Sequence, residues 1–272
     1  MIGKRNTSIM LSKLPYKSIR NGIFTFVKYR IHLSIVFALL LYGNNIKLNV
    51  NIDFPLLISF LLWHFSLFLF DRIYDRKIDQ LSQPDEYVKD QYAVKLYILV
   101  AIMIMVSFCS FWYSGKSIMY WIYLLPVTFL YPLHIYKTYR VKSIFFIKNL
   151  YSALFIYVIP VYIHSILLSN TVPDYINLLS LGIYVLIGEI FWDIRDITAD
   201  KENNTYTIPN TFGINFTKVF LFLLMLTDIW IKNFEISSSA YIYMALLLVV
   251  HEKSDRLIFH IPPLLALVNF LL

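Results

Sequence analysis

Two short clusters of aspartate follow directly on apolar stretches long enough for membrane helices. Residues 71–79 read Asp-Arg-Ile-Tyr-Asp-Arg-Lys-Ile-Asp, and residues 193–200 read Asp-Ile-Arg-Asp-Ile-Thr-Ala-Asp. The carboxylates fall at i, i+4 and i+8 in the first cluster and at i, i+3 and i+7 in the second, so each triplet lies on one face of a helix. The six residues are Asp71, Asp75, Asp79, Asp193, Asp196 and Asp200.

Carboxylates that share one helix face repel one another, so each triplet needs a compensating cation. Mg²⁺ suits them, because it is a hard cation that usually binds through one or two carboxylates together with substrate phosphates. The alternative is a pair of solvated helix ends whose carboxylates pair with neighbouring cations. Those cations are Arg72, Arg76, Lys77 and Arg195. The matching periodicity of the two clusters favours a metal site, and we predict that all six aspartates are its ligands.

The elements that carry these clusters belong to a membrane protein. The chain has 272 residues, of which 58% are hydrophobic and only 15% are charged. A soluble domain of this length could not bury so much apolar surface. Continuous apolar runs indicate helices instead of a barrel. We predict an all-α fold with about nine transmembrane helices, over residues 24–42, 54–70, 92–112, 118–136, 144–168, 173–192, 215–231, 237–250 and 257–272.

The basic residues predict the orientation of the helices. If the N-terminus is cytoplasmic, all of the 24 Lys and Arg residues except Lys47, Lys116 and Lys232 lie on the cytoplasmic side. This asymmetry is a strong positive-inside signal. It predicts a multi-pass membrane protein with its C-terminus outside, and it supports an odd number of helices. The many Ile, Asn, Lys and Tyr residues point to a bacterial source and so to the bacterial cytoplasmic membrane. Both aspartate clusters then face the cytoplasm.

The same distribution limits the other assignments. The net charge of +7 becomes a topology signal, so we expect the lipid bilayer, and not a nucleic acid, as the partner of the basic residues. Cys109 is the single cysteine, which excludes an intrachain disulfide and a Cys-based metal cluster. We divide the chain into a basic cytoplasmic segment, residues 1–23, and one transmembrane domain, residues 24–272. No obligate protein partner is inferred.

The two clusters resemble the aspartate motifs of the UbiA-type intramembrane prenyltransferases, which follow helices two and six. The first motif of that family commonly reads Asn-Asp-x-x-Asp-x-x-x-Asp; here Asp71 stands where Asn is usual and Arg72 where Asp is usual. The second motif matches well. It is followed by Thr207-Ile208-Pro209 and Phe212-Gly213, similar to the family's Thr-Leu-Pro and Leu-Gly. Tyr206 stands where the family often has a basic residue, and Lys201 is a candidate replacement.

The resemblance implies a UbiA-like helical bundle around a central cavity that opens to the cytoplasm. It implies Mg²⁺-dependent transfer of a prenyl group from a polyprenyl diphosphate to a small hydrophobic or aromatic acceptor, with release of diphosphate through a carbocation-like intermediate. The predicted catalytic residues are Asp71, Asp75, Asp193, Asp196 and Glu189. The predicted diphosphate-binding residues are Arg30, Lys137, Arg140, Lys142, Lys148, Asn149 and Lys201.

Three polar residues have competing interpretations. Glu189 shares the face of Asp193 and could polarise an acceptor or orient a basic partner, or it could be a hydrated residue near the helix end. His64 could contact the acceptor or be a core histidine. Asn149 could bind a phosphate or simply support helix packing.

Two alternative functions stay open. A UbiA-type terpene cyclase would use the same diphosphate site, with a double bond of the substrate itself attacking the cation. A secondary transporter is a more distant alternative, because transporters place their coupling residues near the midplane at broken helices, whereas these carboxylates lie at helix ends.

Overall fold

The computed structural model describes residues 28–82, 87–136, 139–169, 174–202, 205–254 and 256–271. The first helices are α1 (Ile31–Lys47), α2 (Phe54–Tyr74), α3 (Arg76–Ser82), α4 (Asp90–Tyr113) and α5 (Ile118–Leu130). A small antiparallel hairpin of β1 (His134–Tyr136) and β2 (Tyr139–Arg140) leads into a 3₁₀ turn over Val141–Ser143. The next membrane segment consists of α6 (Ile147–Tyr151), a π-helical stretch (Ser152–Val158) and α7 (Ile159–Ser169). The last elements are α8 (Tyr175–Arg195), α9 (Ile197–Glu202), α10 (Ile208–Phe212), α11 (Ile214–Ile231), α12 (Ser238–Val249), a 3₁₀ turn (Arg256–His260) and α13 (Ile261–Leu271).

The predicted all-α membrane fold is confirmed. Five helices are long and apolar enough to cross a bilayer: Phe54–Tyr74, Asp90–Tyr113, Ile147–Ser169, Tyr175–Arg195 and Ile214–Ile231. Four shorter apolar helices cover Ile31–Lys47, Ile118–Leu130, Ser238–Val249 and Ile258–Leu271. Each predicted stretch therefore overlaps one apolar helix, while the count of nine crossings stays a prediction. The basic segment 1–23 lies outside the described residues.

Two predicted boundaries are wrong for identifiable reasons. The first stretch was expected to end at residue 42, before a Gly-Asn-Asn sequence, but α1 continues to Lys47. Asn44 is buried inside the bundle and donates a hydrogen bond from Nδ2 to Ser165 Oγ at 2.8 Å. This tertiary contact provides a partner for the side-chain amide of a residue type that usually ends helices. The fourth stretch was expected to reach residue 136, but α5 ends at Leu130 and the chain enters the hairpin.

The two helices that lead into the aspartate clusters begin in the same way. Asp53 caps α2 by accepting from the Leu56 amide at 3.0 Å, and Asp174 caps α8 by accepting from the Ile176 amide at 2.9 Å. Both caps satisfy amides that the first turn leaves without helical partners. The caps lie at the end of the bundle opposite to the clusters, so α2 and α8 run in the same direction and deliver their motifs to one end.

The core is centred on α8, which packs against α13, the π-helical stretch and α11. Its residues Ile187, Ile190, Phe191 and Ile194 are fully buried. In contrast, α4 packs mainly on α2 and exposes large apolar side chains such as Val94, Ile98 and Met105. An apolar outer surface of this kind is what lipid contact requires.

Candidate active site

Both aspartate motifs interrupt their helices at the middle carboxylate. Helix α2 ends at Tyr74 and α3 begins at Arg76, with Asp75 between them at φ −87° and ψ 4°. Helix α8 ends at Arg195 and α9 begins at Ile197, with Asp196 between them at φ −96° and ψ 10°. Backbone hydrogen bonds continue across both breaks, from Asp79 N to Asp75 O at 2.9 Å and from Asp200 N to Asp196 O at 2.8 Å. Each triplet therefore spans two helical segments instead of the single helix expected, and the short helices α3 and α9 contact each other.

The six aspartates line a single cavity with about 840 Å³ of empty space, counting its open mouth. Glu189 and the predicted phosphate-binding residues Arg30, Arg140, Lys142 and Lys148 line the same cavity. These residues come from five separate parts of the chain. Carboxylates and cationic side chains therefore face the same space.

In the first motif, Lys142 joins two carboxylates. Its Nζ donates to Asp71 Oδ1 at 2.6 Å and also to Asp75 Oδ2. Arg140 Nη1 donates to the other oxygen of Asp75 at 2.7 Å, and Arg30 Nη1 lies 3.3 Å from Asp71 Oδ2. The hairpin and the 3₁₀ turn after it thus bring Arg140 and Lys142 over the end of α2.

Asp79 has a different partner. Arg72 Nη1 donates to Asp79 Oδ2 at 2.7 Å, and Arg72 Nε donates to the carbonyl of Lys28 at 3.1 Å. Burial raises the pKa of Asp79, and the Arg72 guanidinium opposes that effect. The Asp196 carboxylate of the second motif also raises this pKa, because both residues line the same cavity.

In the second motif, Lys148 lies between two carboxylates. Its Nζ is 2.5 Å from Asp193 Oδ1 and 4.0 Å from Asp200 Oδ2. Asn149 Nδ2 donates to Asp193 Oδ2 at 2.9 Å. Arg195 forms a bidentate pair with Asp196, at 2.8 Å from Nε and 2.6 Å from Nη2. Each motif therefore has one lysine that joins two carboxylates and one arginine that pairs with its middle aspartate.

Burial and charge set distinct protonation states for these groups. Burial and the carboxylates of Asp193 and Asp196 raise the pKa of Asp200 to about 7, although Lys148 opposes them. For Asp196, burial acts in the same direction, but the Arg195 guanidinium and its hydrogen bonds prevail and lower the pKa. Burial lowers the pKa of Lys142, and its contact with Asp71 opposes this. Asp200 is thus a carboxylate whose charge changes near neutral pH.

The backbone around Lys148 and Asn149 is irregular. Phe146, at the start of α6, has a left-handed conformation with φ 61°, which costs energy for a bulky residue. One turn later the helix widens into the π-helical stretch that begins at Ser152, and Ser152 lines the cavity. Such π-helical turns are frequent at functional sites. The wider turn also changes the directions of the side chains on α6 relative to those on α7, compared with a regular α-helix.

The carboxylates fit divalent cations that bind together with a phosphate ligand. Asp200 Oδ2 is buried and has no hydrogen-bond partner, so it is an acceptor that a cation would satisfy. Among the described residues, no group of three His, Cys, Asp or Glu side chains forms a site ready to hold a metal ion by itself. This arrangement suits Mg²⁺, which typically takes one or two carboxylates and completes its coordination with phosphates and water.

Some predicted residues lie elsewhere. Lys201 is exposed on α9 and does not line the cavity, so the expected replacement for the missing basic residue is not brought to the site. Lys137 lies outside the described residues. His64 is fully buried; its Nδ1 is 3.2 Å from Ser34 Oγ, and its ring stacks on Phe37 with centroids 4.1 Å apart. It therefore packs as a core histidine and does not line the cavity.

Sequence reasoning also missed residues that line the cavity. Tyr131 and Trp192 are among them, and the Lys142 ammonium lies 5.8 Å from the centre of the Tyr131 ring. Trp192 directly precedes Asp193, and that closeness was the available signal, but aromatic residues are too numerous in this chain for it to be specific. Arg195, expected only as a partner of the aspartates, also lines the cavity.

The sequence profile of the UbiA prenyltransferase family matches residues 32–251. No curated protein matches the sequence significantly. Among solved structures, a UbiA homologue from Archaeoglobus fulgidus bound to DMAPP and Mg²⁺ is similar, with 14% identity, a TM-score of 0.62, and coverage of 91% of this chain and 97% of that chain. The same four values hold for a UbiA homologue from that organism bound to GPP and Mg²⁺. An apo UbiA homologue from Aeropyrum pernix K1 has 14% identity and a TM-score of 0.61, covering 88% of this chain and 96% of that chain. These likenesses show a common fold.

Proposed function

Because the chain belongs to the UbiA prenyltransferase family, we propose that it transfers a prenyl group from a prenyl diphosphate to a small hydrophobic or aromatic acceptor, with Mg²⁺ as cofactor. The observation that carries this proposal is the single cavity lined by both carboxylate triplets and by five cationic side chains. The A. fulgidus homologue bound to DMAPP and Mg²⁺ supports the same ligand class. We also propose that this cavity opens to the cytoplasm, as the distribution of Lys and Arg predicts.

The chain's own cations are suited to bind the diphosphate. Arg30, Arg140, Lys142 and Lys148 are fixed around one space, so little reorganisation is needed when charge develops on the leaving group. Asp71 and Asp75 in the first motif, and Asp193, Asp196 and Asp200 in the second, would hold Mg²⁺. When bound, Mg²⁺ supplies Lewis acidity that stabilises the negative charge of the departing diphosphate.

In the proposed reaction, the bond between the allylic carbon and the diphosphate oxygen breaks, and the diphosphate keeps the electron pair. The acceptor's nucleophilic atom then forms a bond to the allylic carbon and loses a proton. Glu189 is only 8% exposed and lines the cavity beside Asp193, so it is suited to receive that proton. The aromatic side chains of Phe68, Tyr131 and Trp192 on the cavity wall would limit the access of water to the cation.

The direct test supplies purified protein or membranes with a panel of prenyl diphosphates and acceptors and detects products by mass spectrometry. We expect diphosphate release that depends on Mg²⁺ and stops in excess EDTA. Asp75→Ala and Asp196→Ala should abolish turnover while the protein still inserts into membranes. Asp90→Asn is the matched control, because Asp90 is an exposed residue on α4 whose side chain is 73% accessible.

Three outcomes would contradict the proposal. They are turnover that persists in EDTA, full activity in both aspartate variants, and a cyclic hydrocarbon formed without any acceptor. The last result would instead favour the terpene cyclase.

A further inference from the structure

A groove on the outer surface of the bundle lies apart from the aspartate cavity. It is formed by α2, α4 and α5 and has about 530 Å³ of free space, within the range of about 300–1,000 Å³ that is typical of ligand sites. Its described lining residues are all apolar or aromatic, and none of them lines the aspartate cavity. The groove is therefore a separate feature of the surface that faces lipid.

Aromatic side chains lie at both ends of the groove. At the end nearer the aspartates, the ring of Phe70 is 5.9 Å from that of Tyr97 and 5.2 Å from that of Phe129. At the other end, the rings of Phe108 and Trp121 are 5.1 Å apart. On α4 the lining runs from Tyr97 to Phe108, which is roughly 16 Å at 1.5 Å per residue. This length is close to half of the hydrocarbon thickness of a bilayer, about 30 Å, and so to the depth of one leaflet.

The groove begins close to the membrane interface on the aspartate side. Lys95 on α4 is exposed, and it is the last charged residue before an uncharged run that reaches Tyr113. A lysine at such a boundary keeps its ammonium among the lipid headgroups, and tyrosines are typical of the same level. Tyr97 follows two residues later, so a hydrocarbon chain that enters beside it comes from the leaflet on the aspartate side.

The chemistry of the lining disfavours other occupants. The indole nitrogen of Trp121 donates to Ser107 Oγ at 2.9 Å, and Ser107 Oγ donates to the carbonyl of Ser59 at 2.8 Å, so these polar groups are used within the protein. A charged ligand would find no charged partner among the described lining residues. Helices that associate in membranes use small residues for close approach, whereas Ala101 is the only small residue in the described lining. A second copy of the chain therefore fits this surface poorly.

We propose that the groove binds one acyl chain of a membrane phospholipid from the leaflet on the aspartate side, as a saturable site distinct from freely exchanging lipid. A hydrocarbon chain is flexible enough to follow the groove and needs no hydrogen bond. Its binding gains dispersion contacts with the aromatic walls, which is the main source of association inside a bilayer. This inference goes beyond the proposed function and does not depend on it.

Photolabelling tests the site directly. The protein in detergent micelles is incubated with a trace of phosphatidylglycerol that carries a diazirine in one acyl chain, irradiated, and mapped by peptide mass spectrometry. We expect label on lining residues of α4 and α5, such as Met105 and Phe129. An excess of unlabelled phosphatidylglycerol should remove most of that label, because the site is saturable.

Two variants narrow the groove at different points, so that one remains informative if the other does not fold. Ala101→Trp and Met105→Trp each place an indole in the space that the chain would occupy, and each should lower the competable label by about tenfold or more. Cys109→Trp is the matched control. It adds the same ring to a small, exposed residue of α4 that does not line the groove, and the label should be unchanged.

Four outcomes would overturn the inference. Label spread evenly over exposed α4 side chains outside the groove, such as Ile98 and Ile102, or label that excess phospholipid does not remove, would indicate ordinary lipid contact. A dimer in native mass spectrometry that Ala101→Trp dissociates would assign the groove to a second copy. Loss of the label on addition of geranyl diphosphate would assign it to the prenyl donor. Failure of the prenyl-transfer assay would overturn the proposed function and leave this inference standing.

Discussion

Arg72 Nη1 lies 2.7 Å from Asp79 Oδ2, and this buried ion pair distinguishes the first aspartate motif from the second. Arg72 is 1% exposed and occupies the position at which the family motif commonly has an aspartate. Compared with the family motif, arginine at position 72 removes one carboxylate and places a fixed positive charge beside Asp79. The Arg72 side chain is 1% exposed, against 9–22% for the cations that pair with the other aspartates, so we expect Asp79 to be the aspartate least available to a metal ion.

The first prediction concerns the stability that this pair provides. Arg72→Met leaves the buried Asp79 carboxylate without its partner, which should destabilise the protein by about 3–5 kcal/mol. The double variant Arg72→Met/Asp79→Leu removes both charges, and replacing a buried pair by apolar residues is often neutral. Thermal unfolding in detergent or lipid nanodiscs measures both effects. A double variant as unstable as Arg72→Met would contradict an ion-pair role for Arg72.

The second prediction concerns Lys142, whose ammonium joins Asp71 and Asp75. In the absence of substrate this ammonium competes with a divalent cation for the same carboxylates, so Lys142→Met should increase Mg²⁺ affinity. With substrate, the lost positive charge should lower kcat/KM for the prenyl diphosphate by about 10²–10³-fold, as for the loss of one fixed electrostatic contact. Calorimetric Mg²⁺ titration and steady-state kinetics give the two readouts.

Lys218→Met, which changes a partly exposed lysine on α11 that donates to the carbonyl of Leu248, is the control for both measurements. A fall in Mg²⁺ affinity in Lys142→Met would show that Lys142 supports the carboxylate geometry and does not compete with the metal.

The convergence of the two motifs could be predicted because it follows from local patterns. Carboxylates at i+3 and i+4 spacing at the ends of two apolar helices, and basic residues confined to one side, require nothing beyond helical periodicity and the positive-inside rule. The chain indeed brings Asp71 and Asp193 into one cavity with Arg140 and Lys148.

The remaining features depend on tertiary contacts that no local pattern encodes. The partner of Asp79 is Arg72, seven residues earlier, and Arg72 also donates to the distant Lys28 carbonyl. The breaks at Asp75 and Asp196 occur without Gly or Pro. Pro160, two residues after the π-helical stretch, indicates an irregular helix there but not its type. Helix α1 continues through Asn44, whose side-chain amide donates a hydrogen bond to the distant Ser165.

The third prediction concerns pH. In the metal-free protein the pKa of Asp200 is raised to about 7, so this carboxyl is protonated at lower pH and ionised at higher pH. A metal ion that uses Asp200 must displace its proton, and Mg²⁺ affinity should therefore fall by up to about tenfold per pH unit below about pH 7. Above that pH the dependence on this group should disappear.

Mg²⁺ titrations between about pH 6 and about pH 8 measure this dependence. Asp200→Asn removes the titrating group, so its weaker Mg²⁺ affinity should vary less over the same range. An unchanged pH profile in Asp200→Asn would mean that another group controls metal binding.

The fourth prediction separates Glu189 from the carboxylates that bind the diphosphate. Glu189 lines the polar cavity one helical turn before Asp193, and its position suits proton transfer from the acceptor better than metal binding. Glu189→Gln keeps the shape of the side chain but removes the base. It should therefore lower kcat by about 10²–10⁴-fold, the usual contribution of general acid–base catalysis, while the KM for the prenyl diphosphate stays within about twofold. Glu235→Gln, on an exposed loop residue, is the matched control. A rise in the donor's KM with kcat unchanged would instead assign Glu189 to substrate binding, because an interaction lost equally from the ground state and the transition state changes only KM.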